Sequence, residues 1–426
     1  MAHTAHPGTS LPVFAAALLA LAGGCALAPA PARPPGGSAA PALVLSPPVE
    51  HLDLLAREPM VVEHPDGTLF VAGYGEKVPT LWASRDGGAT WTRVPVGTEA
   101  EGAIGNSDVD LAMAGDGTLY FATMVFDRKV NEGTHISLGV SRDAGATWSW
   151  TLLSNTRFDD RPWVEVASDG TAHVIWNDGD GVCHATSRDE GRTWTEHDRI
   201  HPQGGSSHLA VGPNGEIAVR VVPLSASGNK IHEGVDLIAV STDGGTTWQN
   251  HPAPGRRDWI FPLSDETPLP RWVEPLAWDA QGALYSLTSN DEGLWLARST
   301  DRGATWQSWR VAQNAEPMFF PYLAARGPGE LAATWFSGTE TTLHAHVARI
   351  DLAPGDTPPQ VTEAPAFQPD SWNFSPPAAG GPITRNSAGE YLPVLFLKNG
   401  GLAVVSPIQK SSEKRFGFTW WRVEAP

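Results

Sequence analysis

SRDGGATW, Ser84 to Trp91, is written almost unchanged five times in this chain. The other copies are SRDAGATW (Ser141 to Trp148), SRDEGRTW (Ser187 to Trp194), STDGGTTW (Ser241 to Trp248) and STDRGATW (Ser299 to Trp306). In such an octapeptide the aspartate accepts backbone N–H groups a few residues on and closes a tight turn. Glycine takes a positive φ that a side chain resists. Thr and Trp then open a strand, with the indole laid over the turn. Five aspartates in five equivalent turns read as one structural part repeated, not as a catalytic cluster.

A second, weaker repeat precedes each octapeptide and runs further along the chain. Its copies are EPMVVEHPDGTLFVAG from Glu58, DVDLAMAGDGTLYFAT from Asp108, RPWVEVASDGTAHVIW from Arg161, SSHLAVGPNGEIAVRV from Ser206, EPLAWDAQGALYSLT from Glu274, FPYLAARGPGELAATW from Phe320 and GPITRNSAGEYLPVL from Gly381. Each is an apolar run, a turn ending in glycine and a second apolar run. The turn glycines are Gly67, Gly117, Gly170, Gly215, Gly282, Gly329 and Gly389, spaced by 50, 53, 45, 67, 47 and 60 residues. Several strands per period of this length predict an all-β fold, a β-propeller. Two strands flank the glycine turn and two flank the octapeptide, giving four-stranded antiparallel blades. Seven blades are expected, or six if the two ends share one.

Bulk properties agree. The chain has 426 residues and a formal charge of -18. That balance argues against a nucleic-acid partner, which needs a basic face. The two cysteines, Cys25 and Cys183, exclude a disulfide scaffold and leave no Cys/His cluster for zinc. No metal and no cofactor are expected. Leu11 to Leu21 is apolar but too short to span a bilayer, and reads as the core of a signal peptide over residues 1–24. It leads into LAGGC, which resembles a bacterial lipobox ending at Cys25. That implies lipidation of Cys25; plain secretion is the alternative. Residues 25–49 then form a Pro/Ala-rich spacer, and the propeller is expected over residues 50–426. The expected location is the cell envelope or the medium, with a lipid anchor as sole membrane contact and a monomeric state.

The octapeptide SxDxGxTW is similar to the Asp-box, or BNR repeat, and the chain from about residue 50 to 426 resembles the sialidase-like superfamily of Asp-box propellers. The resemblance implies a propeller, and either a glycoside hydrolase or a non-enzymatic binder. Arg57-Glu58-Pro59 ahead of Gly67-Thr68-Leu69 is similar to the family's R-I-P motif, with Glu for Ile, and makes Arg57 the first carboxylate-binding arginine. Phe320-Pro321-Tyr322-Leu323 is similar to the family's Y-S-x-L stretch, with Phe at the nucleophile position and Tyr322 two residues on. Arg220 and Arg385 are candidates for further arginines.

Strand order puts the glycine turns and octapeptides on one face. The opposite face receives the remaining loops and the start of every inner strand. Its long segments are Val125 to His135, Pro223 to Glu233, Asn250 to Val273 and Glu363 to Gly380. Long loops on a rigid scaffold concentrate binding chemistry. The inner strands start at Glu58, Asp108, Arg161, Ser206, Glu274, Phe320 and Gly381, with Arg57 and Asp160 one residue earlier and Asp110, His208 and Tyr322 two later. These residues are expected to ring an axial funnel. Glycoside hydrolysis commonly needs two carboxylates, for which Asp108 and Glu274 are the candidates, with Arg57. Glu58, Asp160, Arg161, His208, Trp259, Trp272 and Tyr322 are candidates for substrate binding. Aromatic faces stack on sugars, and arginines grip carboxylates. Three functions remain open: a hydrolase of glycans, a non-catalytic glycan- or protein-binding propeller, and an envelope scaffold.

Overall fold

The computed structural model describes residues 42–202, 204–222, 234–255, 258–259, 274–290, 292–316, 318–338, 343–367, 391–410 and 415–424. These residues form a β-propeller of seven four-stranded antiparallel blades. The inner strands, in chain order, are Arg57–Glu63, Ser107–Met113, Asp159–Val166, Gly205–Val211, Leu276–Trp278, Met318–Ala325 and Val394–Phe396. In the first six blades each further strand pairs outward from the last, so every blade is a simple meander. Both faces of a middle strand are covered by neighbouring blades. Strands such as Leu69–Tyr74 are therefore buried at every position and read as continuous apolar runs.

The seventh blade closes the ring with both ends of the chain. Its strands Val394–Phe396, Leu402–Lys410 and Arg415–Glu424 are completed by Val44–Leu45 and Val49–Leu52, which pair with the last of them. Val49 lies opposite Trp420, and Leu45 opposite Val423. The ends thus share one blade and the count is still seven. Paired strands already begin at Val44, within the segment read as spacer.

The register of the seventh repeat differs from the expected one. Gly400 N–H donates to Leu397 (2.9 Å) and Leu397 N–H to Gly401 (2.8 Å), the pattern that Gly67 and His64 make in the first blade. The turn glycine is therefore Gly400, not Gly389. Gly381 and Gly389 lie outside the described residues. The motif of apolar run, glycine and apolar run fits the stretch in both registers, and only pairing selects one.

The five octapeptides fold alike. Each Ser hydroxyl donates to its Asp at 2.8–2.9 Å and accepts the N–H of the following Gly at 2.7–2.9 Å. Each Asp also takes the N–H and the hydroxyl of the Thr four residues on, at 2.8–2.9 and 2.5–2.7 Å. The residue after each Asp has positive φ, including the non-glycines Ala144, Glu190 and Arg302. The next position is glycine for two reasons. Its φ is positive, and a Cβ on Gly88 or Gly245 would come within 2.2 Å of Trp420 or His184 of the adjoining blade.

Glycine turns of adjacent blades touch one another around one end of the axis. Lys398 Nζ donates to the His64 carbonyl (2.8 Å), Ser168 to Pro213 (3.1 Å) and Gly329 N–H to Asp279 (2.9 Å).

Candidate functional site

At the other end of the axis the inner strands begin irregularly. Five of the seven break register near their start: between Arg57 and Met60, Ser107 and Val109, Asp160 and Trp163, Ser206 and His208, and Phe319 and Tyr322. Glu58, Arg161 and Phe320, at equivalent positions in three blades, have φ of 50°, 50° and 47°. Each is followed by proline, which lacks the N–H that a ladder needs. A side chain at positive φ costs on the order of 1–3 kcal/mol, and such strain collects where side chains must be aimed. Glu58, Arg161 and Phe320 are all buried.

Charged groups gather around these breaks. The Arg57 guanidinium lies 5.8 Å from the Tyr74 ring. Half-buried Asp108 accepts a long hydrogen bond from Ser107 (3.3 Å). Arg161 Nε is 3.8 Å from the Asp160 carboxylate. Across the ring stands a buried ion trio: Arg220 contacts Asp236 at 3.0 Å and also binds Glu274. Arg220 and Asp236 are 0% exposed and Glu274 is 1% exposed, so the trio is sealed from solvent. Arg220 further reaches Ser286 (3.4 Å), tying the fourth blade to the fifth. Asp236 follows a short ribbon in which Gly234 and Val235 pair with Trp259 and Asp258. Sequence reasoning named Arg220 and Glu274 but not Asp236, which joins them only through the fold. Trp272, Arg385 and Cys25 lie outside the described residues. Val125 to His135 is not a loose loop but the extended tip of a hairpin, Leu119–Asp127 against Glu132–Ser141.

One layer deeper, the residues two positions beyond the strand starts meet on the axis. Trp163 of the third blade packs against Tyr391 of the seventh (5.5 Å) and His208 of the fourth (5.1 Å). Tyr322 of the sixth packs against His208 (5.9 Å) and Tyr391 (6.2 Å), and its hydroxyl reaches Met60 of the first (3.3 Å). Blades that are not neighbours touch here, so these rings plug the axis. Burial pushes His208 down to about 4, and its Nδ1 faces the Leu276 N–H at 3.4 Å. Burial, then the carboxyls of Asp110 and Glu165, push the Tyr322 phenol well up. Asp110, raised by burial, accepts the N–H of Val164 (2.8 Å) and of Leu111 (2.9 Å). His208 and Tyr322 thus sit in the plug, below the ring of Arg57, Glu58, Asp108 and Arg161. Tyr391 was missed because the seventh repeat was read out of register; the NGG turn at Asn399–Gly401 was the available signal.

Among the described residues no group of three or more His, Cys, Asp or Glu side chains is placed to hold a metal ion. Cys183 is buried, and burial raises its thiol far above the ordinary range.

No protein-family model and no curated protein matches the chain. Solved structures do. An ulvan lyase of polysaccharide lyase family PL25 is similar at 11% identity, covering 88% of this chain and 95% of that one, with TM-score 0.51. Virginiamycin B lyase from Staphylococcus aureus is similar at 13% identity, covering 89% and 99%, with TM-score 0.50. A Hadza microbial sialidase is similar at 15% identity over 66% of this chain, with TM-score 0.43; the chain spans 63% of that sialidase. At such identities the likeness concerns the propeller fold.

Proposed function

We propose that the protein is a glycan-active propeller of the cell envelope, a glycoside hydrolase that takes its substrate at the loop-side mouth. The supporting observation is the shared break at the strand starts, where strained backbone holds Arg57 and Glu58 on the first blade and Asp160 and Arg161 on the third, flanking Asp108 of the second. In this reading Asp108, half-buried and without an arginine on it among the described residues, is the first catalytic carboxylate. Glu58 or Asp160, on the flanking blades, supplies the second. Arg57 and Arg161 grip acidic or hydroxyl groups of the sugar. Glu274, engaged by Arg220, positions that guanidinium rather than meeting substrate.

One observation favours a second reading. Of the two carboxylates that the sequence offers as acid and base, Glu274 is locked in the ion trio. A non-catalytic glycan- or protein-binding propeller needs no such pair. The test is turnover of a panel of fluorogenic glycosides, sialosides included, by the full chain and by Asp108→Asn, Glu58→Gln, Asp160→Asn and Glu274→Gln. Turnover abolished in folded Asp108→Asn supports the hydrolase. Silence across the panel with binding on a glycan array supports the second reading. Attachment to the envelope through Cys25 is tested by labelling with a fatty acid, which Cys25→Ala should abolish.

A further inference from the structure

The axis holds a second compartment beyond the aromatic plug. It is a chamber of about 630 Å³ with walls from all seven inner strands. Pro65, Gly115 and Lys398 of the glycine turns line its rim, and none of the mouth residues Arg57, Glu58, Asp108, Arg161 or Glu274 lines it. It therefore opens on the turn face, and the plug separates it from the loop-side mouth.

Three carboxylates line it, Glu63, Asp110 and Glu165. Glu165, on the third inner strand, lines this chamber with its side chain exposed, and desolvation lifts its carboxyl to about 7. Among the described residues it makes no ion pair; its polar contact is the Val166 N–H. The other charges near it are spoken for. Asp110, on the floor, has both oxygens on backbone N–H groups. Lys398, at the rim, gives its ammonium to the His64 carbonyl and its N–H to Glu63. The rest of the wall includes His208 and Tyr322 and, among apolar side chains, Trp163, Trp278, Phe396 and Met113.

A carboxylate without an ion pair among the described residues, in a chamber that aromatic side chains help to line, is complementary to one ligand chemistry. A positive nitrogen pairs with the carboxylate and lies over aromatic faces, while its apolar body covers the wall. We propose that the turn-side chamber binds a small organic cation, with Glu165 as its counter-ion and Trp163 and Trp278 as its aromatic walls. The proposal is independent of any chemistry at the loop-side mouth. A bound cation favours ionised Glu165, so affinity rises as pH rises through about 7. Glu63, Asp110, His208, Tyr322 and Lys398 also line the chamber; burial raises Asp110 and Tyr322 and lowers His208.

The test is calorimetric titration of the full chain at pH 8 with benzyltrimethylammonium, against benzyl alcohol as neutral and benzoate as anionic comparison. The cation should bind at least tenfold more tightly than either. Glu165→Gln should erase that preference, and Ala324→Trp, which fills the chamber, should abolish binding of the cation. Asp108→Asn should bind it unchanged. No heat or tryptophan-fluorescence change with the cation overturns the proposal, as does equal affinity for benzyl alcohol. So does unaltered cation binding by Glu165→Gln. Should Glu165→Gln not fold, Glu165→Asp keeps the charge but withdraws it; undiminished affinity in that variant overturns the proposal too.

Discussion

The two ends of the propeller axis are built on opposite plans. At the turn end, five octapeptides repeat the same four hydrogen bonds within 0.2 Å of one another. At the loop end no two blades carry the same set of side chains. Glu58, Asp108, Arg161, Ser206 and Phe320 occupy the five broken starts, and only the backbone break is shared. Repetition marks what the fold requires of every blade. Departure from it, at a strained position, marks where individual side chains are held for a purpose.

That contrast can be broken at several points. The largest expected effect is at the ion trio. Arg220→Ala leaves Asp236 and Glu274 buried without their cation and should cost about 3–5 kcal/mol, read by urea denaturation. A loss below about 1 kcal/mol would mean that water reaches the trio. Next comes Asp108→Asn. On a substrate found in the glycoside panel, turnover should fall at least 100-fold, about 2.7 kcal/mol of barrier, with stability changed by less than about 0.5 kcal/mol. Equal losses of turnover and stability would make Asp108 a structural residue like the octapeptide aspartates.

Acid should dissect the repeated end in two stages. Burial first, and then their mutual repulsion, holds His184 down to about 3, while burial holds His173 down to about 4. The two rings stack in the third blade at 5.4 Å. The folded state keeps them neutral, so their contribution is complete above pH about 6.5 and declines as pH falls towards 4. Hydrogen bonds from Thr90, Thr247 and Thr305 hold Asp86, Asp243 and Asp301 at about 2. Their contribution is complete above about pH 4 and is lost as pH falls through about 2. Melting temperature followed from pH 7 to pH 2 should decline in both windows; a flat profile between 6.5 and 4 would refute the histidine part. The smallest effect is a gain. Ala144 occupies positive φ where Gly87 and Gly244 stand in sister turns, so Ala144→Gly should stabilise by about 0.5–1 kcal/mol, measured by thermal denaturation.

Much of this architecture was legible because it is local. An octapeptide that closes its own turn, and a glycine between two apolar runs, carry their geometry in adjacent residues. What the chain concealed depends on closure. Val44–Leu45 and Val49–Leu52 sit in or beside proline-rich sequence and become a blade edge only because Arg415–Glu424 reaches them. Tyr391 looked like one apolar residue among several, and its place on the axis follows from a register that pairing alone decides. Asp110, His208 and Tyr322 share an offset from the strand starts, and they lie at the level of the plug rather than around the mouth. Their depth was not legible, since a sequence offset states which residues share a level but not whether that level is open. Glu274 illustrates the same limit: its position on the ring could be read, but the arginine that claims it could not.

The ring closure also fixes an order of events in the chain's life. Glu50 and Arg415 meet across 365 positions of sequence. Blades one to six can form as the polypeptide is made, each from contiguous residues, but the annulus stays split until its final strand arrives. During that interval Val44–Leu52 waits as an unmatched ribbon, and the far side of the split offers a bare sheet edge to any passing chain. A stall before Arg415 therefore yields an open, adhesive arc rather than a propeller lacking a corner. Completion of the last strand is the moment at which the molecule ceases to be a hazard to its neighbours.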